Sequence, residues 1–195
     1  MSTSAESANA SPGHLPGDLA MWFFILAELS VFAILILVFA VTQAIKPQMF
    51  GESRLLLNTS TGLAMTLSLL TAGLFAALAQ EQVRHSRSRR GAIYLLAALL
   101  AASVYVLLKV TEYRHLLASG LGLEHNTFFT LYWILTGFHF LHVLLGMLIL
   151  GWLAERCRRG RYDASNRSGF ESGVLYWHMV DLIWVVLFPL VYVLG

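Results

Sequence analysis

Seven side chains with acid–base or metal-ligating chemistry stand within or beside long apolar stretches: Glu28, Glu112, His139, His142, Glu171, His178 and Asp181. An ionisable group in hydrocarbon is costly unless it is paired or hydrated, so each is a functional candidate on physical grounds. Glu28 is the clearest, in Phe24-Ile25-Leu26-Ala27-Glu28-Leu29-Ser30-Val31-Phe32. It lies about 12 Å past the start of its apolar run at Ala20, at 1.5 Å per helical residue. A carboxyl at that depth can handle protons or meet lipid; the ordinary alternative is a hydrogen bond to a neighbouring helix.

His139 and His142 are three residues apart, on one face of a helix. Glu171, His178 and Asp181 follow at spacings of seven and three, on one stripe of another. Lys109 and Glu112 are i, i+3 partners, with Tyr113 and Arg114 beside them, and read as a boundary ion pair near a membrane surface. A metalloprotein using His139, His142 and His178 is an alternative, although a His-x-x-His pair supplies two ligands where a closed site needs more. Haem ligation needs one histidine from each of two helices and stays open at this level.

The elements that must position these groups are five apolar runs: Ala20 to Ile45, Leu55 to Ala79, Gly91 to about Tyr113, Thr127 to Ala154, and Gly173 to Leu194. Each meets or exceeds the roughly 20 residues a helix needs to cross about 30 Å of hydrocarbon. Period-2 alternation is absent, which argues against a barrel. The fold class expected is an all-α polytopic membrane bundle with five transmembrane helices, organised as a polar segment 1–18 followed by one transmembrane domain, 19–195. Segment 1–18 carries no Lys or Arg, unlike a secretory signal. His14-Leu15-Pro16-Gly17-Asp18 reads as a turn with Asp18 as the helix cap.

Of the 195 residues, 57% are hydrophobic and only 12% charged, and the mean hydropathy is +0.68. About 25% charge is usual in soluble domains. An ordinary soluble enzyme is therefore excluded. A net charge of only +2, together with that apolar content, also excludes a disordered or nucleic-acid-binding chain. The single Cys157 excludes a disulfide framework.

Nine of the 13 Lys and Arg residues lie in two alternate connections: Arg84, Arg87, Arg89 and Arg90, then Arg156, Arg158, Arg159, Arg161 and Arg167. The positive-inside rule places both in the cytoplasm, with the N-terminus cytoplasmic and the C-terminus outside. These arginines also suit contact with anionic phospholipid. Thr59, Gly62, Thr66 and Gly73 form a small-residue stripe that predicts close helix packing. Trp22, Trp133, Trp152 and Trp177 lie towards span ends and read as interface anchors. A proton or small-solute transporter is a second alternative, because intramembrane charge often marks an ion path. Yet the spans lack the internal proline breaks such a path commonly uses; only Pro189 lies near the end of the last.

With these residues in view, the chain from about Leu15 onward resembles subunit III of the haem-copper oxidases. Gly169-Phe170-Glu171 leading into Tyr176-Trp177-His178-Met179-Val180-Asp181 and Trp184 is similar to that family's most specific signature. Thr136-Gly137-Phe138-His139, Leu141-His142-Val143 and Gly146 resemble the preceding helix. Glu112-Tyr113 and Glu28 match two further positions, in the right order. Met179 stands where many members have Phe, and Ala27 where many have Ser.

Five spans instead of seven resemble the quinol-oxidase branch and a nitric-oxide-reductase-associated branch. The opening Leu15-Pro16-Gly17-Asp18, Trp22 and the ending Phe188-Pro189-Leu190 are most similar to the latter. The resemblance implies a non-catalytic bacterial inner-membrane subunit that binds no haem or metal itself. Its partner would be a catalytic haem-bearing membrane subunit. Phospholipids would be further partners, and Glu28, His178 and Asp181 would be lipid- or proton-linked groups.

The topology makes a direct prediction. A reporter fused after the last residue should behave as external; cytoplasmic behaviour would overturn the orientation.

Overall fold

The computed structural model describes residues 19–162 and 167–194. The expected Asp18 cap, the polar segment 1–18 and the Leu15-Pro16-Gly17-Asp18 opening lie outside these residues. Among them are six α-helices: α1 (Leu19–Ile45), α2 (Pro47–Arg54), α3 (Thr59–Arg84), α4 (Ser88–Ala118), α5 (Thr127–Arg158) and α6 (Ser168–Phe188), which runs on into a wider turn, Pro189–Val193. All but α2 are long and apolar enough to cross a membrane. The all-helical five-span fold is as the sequence predicts.

The helix boundaries differ from the apolar runs for identifiable reasons. The second run begins at Leu55, but α3 begins at Thr59, because the Asn58 side chain accepts a hydrogen bond from the Thr61 amide at 3.1 Å. The connection from α1 to α3 is not a plain loop. Pro47, with no amide hydrogen to lose, opens the short helix α2. The Arg-rich ends of α3, α4 and α5 remain helical past the apolar stretch, as polar extensions of the spans.

The small-residue stripe of α3 packs as predicted. A Cβ on Gly62 would lie 3.0 Å from both Phe188 and Tyr192, and one on Gly73 only 2.5 Å from Asp181 Oδ2. Thr66 Oγ1 donates to the Gly62 carbonyl at 2.9 Å and accepts from Trp184 Nε1 at 3.1 Å. Thus α3 meets α6 backbone to side chain, with its polar groups satisfied locally.

Helix α1 is different. Its buried residues are Ile25, Phe32 and Phe39, one stripe at spacings of seven, while Leu26, Ile34, Leu37 and many others face outward. Phe39 meets Phe50 of α2 and Phe128 of α5 edge to face, at ring separations of 5.2 and 5.8 Å. Large outward apolar surface of this kind is what a lipid-facing helix presents.

Trp177 corrects a reading. It is not an interface anchor but a core residue, 1% exposed, pressed against Gly146. It sits further from the helix end than the apolar run suggested, because α6 begins at Ser168.

A Cβ on Gly146 would lie 2.8 Å from Trp177 Cε3, whereas one on Gly137 meets nothing within 4 Å. Gly146→Ala should therefore lower stability by about 1–3 kcal/mol. Gly137→Ala should raise it by about 0.5–1 kcal/mol through helix propensity alone. Thermal unfolding of the two variants in detergent checks the opposite signs.

Candidate functional site

Two polar constellations lie inside the bundle. The first is built on the buried stripe of α1. Glu28 follows Ile25 by three and precedes Phe32 by four, so the fold that buries Phe32 also turns Glu28 inward. Its Oε2 lies 3.0 Å from His142 Nε2 on α5, and His142 Nδ1 lies 2.8 Å from the Phe138 carbonyl oxygen. A carbonyl oxygen can only accept, so Nδ1 carries a hydrogen in this network. The Nε2–Oε2 contact then needs one proton between two acceptors. The pair holds it either as imidazolium and carboxylate or as imidazole and carboxylic acid. Phe32 and Phe138 pack around the imidazole, at ring separations of 5.2 and 4.5 Å.

His139, one turn earlier on α5, does not join this pair. Residues three apart differ by about 60° around a helix. On the central helix that angle is enough to change neighbours. His139 is fully buried, stacked on Trp184 at 5.1 Å and edge-on to Tyr105 at 6.0 Å, and neither ring nitrogen has a hydrogen-bond partner among the described residues.

Nor do His178 and Asp181 join it. They face α3 at Gly73, where an added Cβ would be 3.7 Å from His178 Nδ1. Asp181 is 8% exposed, and its Oδ1 has no partner among the described residues. Glu171 stays at the α6 start, 3.0 Å from Arg167 Nε. Glu28 and His142 are thus separated from His178 and Asp181, because α3 lays its glycine stripe against α6. Among the described residues no group of three or more His, Cys, Asp and Glu is arranged to hold a metal.

The second constellation overturns the boundary ion-pair reading of Lys109 and Glu112. Lys109 is 0% exposed and the Glu112 side chain 8%; Lys109 Nζ lies 2.8 Å from Glu112 Oε2. The apolar run stops near Tyr113, but α4 continues to Ala118, which leaves the pair well inside the helix. Lys109 Nζ also donates to the hydroxyl oxygens of Tyr132 and Tyr192, each at 3.0 Å. Those hydroxyls in turn donate to Glu112, at 2.8 and 2.9 Å. The ammonium lies over the rings of Tyr113, Tyr132, Trp184 and Tyr192, at 4.8–5.6 Å. Tyr132 comes from α5 and Tyr192 from the terminal turn, so sequence spacing gave no sign of either.

Lys109→Met leaves the Glu112 carboxylate buried without its cation and should cost about 3–5 kcal/mol. Adding Glu112→Gln should recover most of that loss. Unfolding of the single and double variants tests whether the pair acts as a unit; equal instability of both would show that it does not.

Residues 17–195 match the family model described as cytochrome c oxidase subunit III. Cytochrome c oxidase subunit 3 of Synechocystis sp. is 28% identical over 207 residues, covering 100% of this chain and 88% of that protein. Quinol oxidase subunit 3 of Bacillus spizizenii is 28% identical over 183 residues, covering 91% of this chain and 86% of its own length. Heme-copper oxidase subunit I+III of Aeropyrum pernix is 28% identical over 179 residues, 89% of this chain but 22% of that longer protein. With five apolar helices and a family match over nearly its whole length, this multi-pass membrane protein belongs to the cytochrome c oxidase subunit III family of the haem-copper oxidases.

Proposed function

We propose that this chain is the non-catalytic third subunit of a bacterial respiratory haem-copper oxidoreductase. It would support assembly and sustained turnover while a partner subunit carries the haem and metal. The observation that carries the reading is the Glu28–His142 pair: one proton held between two acceptors at 3.0 Å, beneath a helix docked by a single stripe. Such a pair can pass its proton from one acceptor to the other without changing the net charge buried there. The separation of His139, His142 and His178 onto different neighbours supports an auxiliary role over a metal centre.

The name of the Aeropyrum relative joins subunits I and III, which supports a catalytic subunit I as partner. Oxidase names among the relatives favour oxygen as the acceptor of the complex. The nitric-oxide-reductase likeness rests on the opening segment, Trp22 and the Phe188-Pro189-Leu190 ending. In the bacterial inner membrane the arginine distribution supports a cytoplasmic N-terminus and an external C-terminus. Residues 1–18 would then be a polar cytoplasmic segment and 19–195 one transmembrane domain. His139, His178, Asp181, Glu112 and Glu171 would be supporting groups, linked to lipid or proton, with phospholipid as a further partner.

Glu28→Gln keeps the size and hydrogen-bonding capacity of the side chain while removing its titratable proton. In the assembled complex it should change the initial rate by less than about threefold, under ~0.7 kcal/mol of barrier. Activity should then decay faster over repeated turnover than in the parent complex. Immediate loss of catalysis in a fully assembled complex would instead give Glu28 a direct catalytic part.

A further inference from the structure

At the end of the bundle where α1 gives way to α2, a cleft of about 800 Å³ opens between α2 and the terminal turn of α6. Arg54 and Glu52 both line it, together with Leu55, Leu57 and Tyr192. The Arg54 side chain is 9% exposed. Its Nε donates to the Val191 carbonyl at 3.3 Å, yet its Nη2 is buried with no partner among the described residues. Burial lowers the Arg54 pKa from its ordinary value, and a bound anion would offset that cost. Glu52 is exposed and forms no ion pair with Arg54 or any other described residue.

A cleft edged by one unpaired cation and one unpaired anion has no net charge to select a simple anion. It suits a headgroup carrying both signs. Its position supports this, since α2 starts two residues after the first span ends, at headgroup depth. The leucines of the 55–57 connection provide an apolar wall for the upper part of an acyl chain.

We propose that this cleft seats the headgroup of a zwitterionic aminophospholipid, its phosphate on Arg54 and its ammonium on Glu52. The assignment rests on the reading of phospholipid as a partner and makes it specific. The ammonium must have N–H donors for Glu52, so an ethanolamine headgroup fits and a choline headgroup does not. A guanidinium suits the phosphate because its planar fork can donate twice to one group.

The test is native mass spectrometry of the purified full chain in detergent, with phosphatidylethanolamine, phosphatidylcholine, phosphatidylglycerol or inorganic phosphate added in turn. Phosphatidylethanolamine should give the strongest adduct, Arg54→Gln should weaken it about fivefold, and Arg54→Lys, which keeps the charge but loses the fork, should restore only part of it. Glu52→Gln alters an exposed side chain and should leave folding intact while erasing the preference for ethanolamine over choline. Binding that ignores Arg54→Gln, or a stronger phosphatidylglycerol adduct, would overturn this site while leaving a general lipid partnership standing. Inorganic phosphate displacing the lipid at equal concentration would identify a free-anion site and overturn the lipid assignment. Failure of every phospholipid to bind would count against both the site and the lipid partnership.

Discussion

An ammonium with no exposed surface can persist only if the protein replaces every interaction that water gave it. Lys109 meets that demand with one carboxylate, two tyrosine hydroxyls and four aromatic faces. The cost of desolvating the pair is repaid only when all these partners are in place together. Since they arrive from α4, α5, α6 and the terminal turn, the network fixes how those elements meet. Tyr192 reaches it through the wide turn that begins at Pro189, a residue with no amide hydrogen to continue the regular helix. The same turn presents the Val191 carbonyl to Arg54, which ties α2 to the bundle. Disturbing one ion pair would therefore loosen an entire end of the molecule.

The other half is held differently. Close approach of α3 to α6 and of α5 to α6 depends on glycines at 62, 73 and 146, whose missing side chains are occupied by Tyr192, Asp181 and Trp177. Without a hydrophobic drive between helices in lipid, such packing and a few internal hydrogen bonds must supply the attraction. Helix α1 lacks that intimacy. It adheres through Ile25, Phe32 and Phe39 and through the Glu28–His142 bond. The proton-holding pair thus sits at the weakest seam of the fold, where a partner helix or lipid would feel its charge state most.

What the sequence revealed follows from which forces are local. Long apolar runs report the spans directly, and the α3 glycine stripe reported its own packing. Spacing alone left Glu28 open between a lipid- or proton-linked carboxyl and a hydrogen bond to a neighbouring helix. Helix α1 is apolar on every side, and only the fold selects the stripe of Ile25, Phe32 and Phe39 for burial. Neighbours across helices are another matter. Sequence spacing put His178 and Asp181 on one face but could not say that α3 would cover it. Lys109 and Glu112 looked peripheral because their local window ends in charge, and only the tertiary arrival of Tyr132 and Tyr192 makes the site interior. Helix α2 was missed because eight residues flanked by apolar runs carry little periodic signal of their own.

The central claim is that this chain works as a redox-silent subunit bound to a catalytic one. The most direct measurement is gentle detergent extraction of the tagged chain from its own membrane, followed by identification of co-purifying proteins and a visible spectrum of each separated subunit. The account predicts a stoichiometric haem-bearing membrane subunit in the eluate, with the haem absorption following that partner when the two are parted. Recovery of this chain alone in an active membrane, or a stoichiometric haem spectrum that stays with it, would contradict the account.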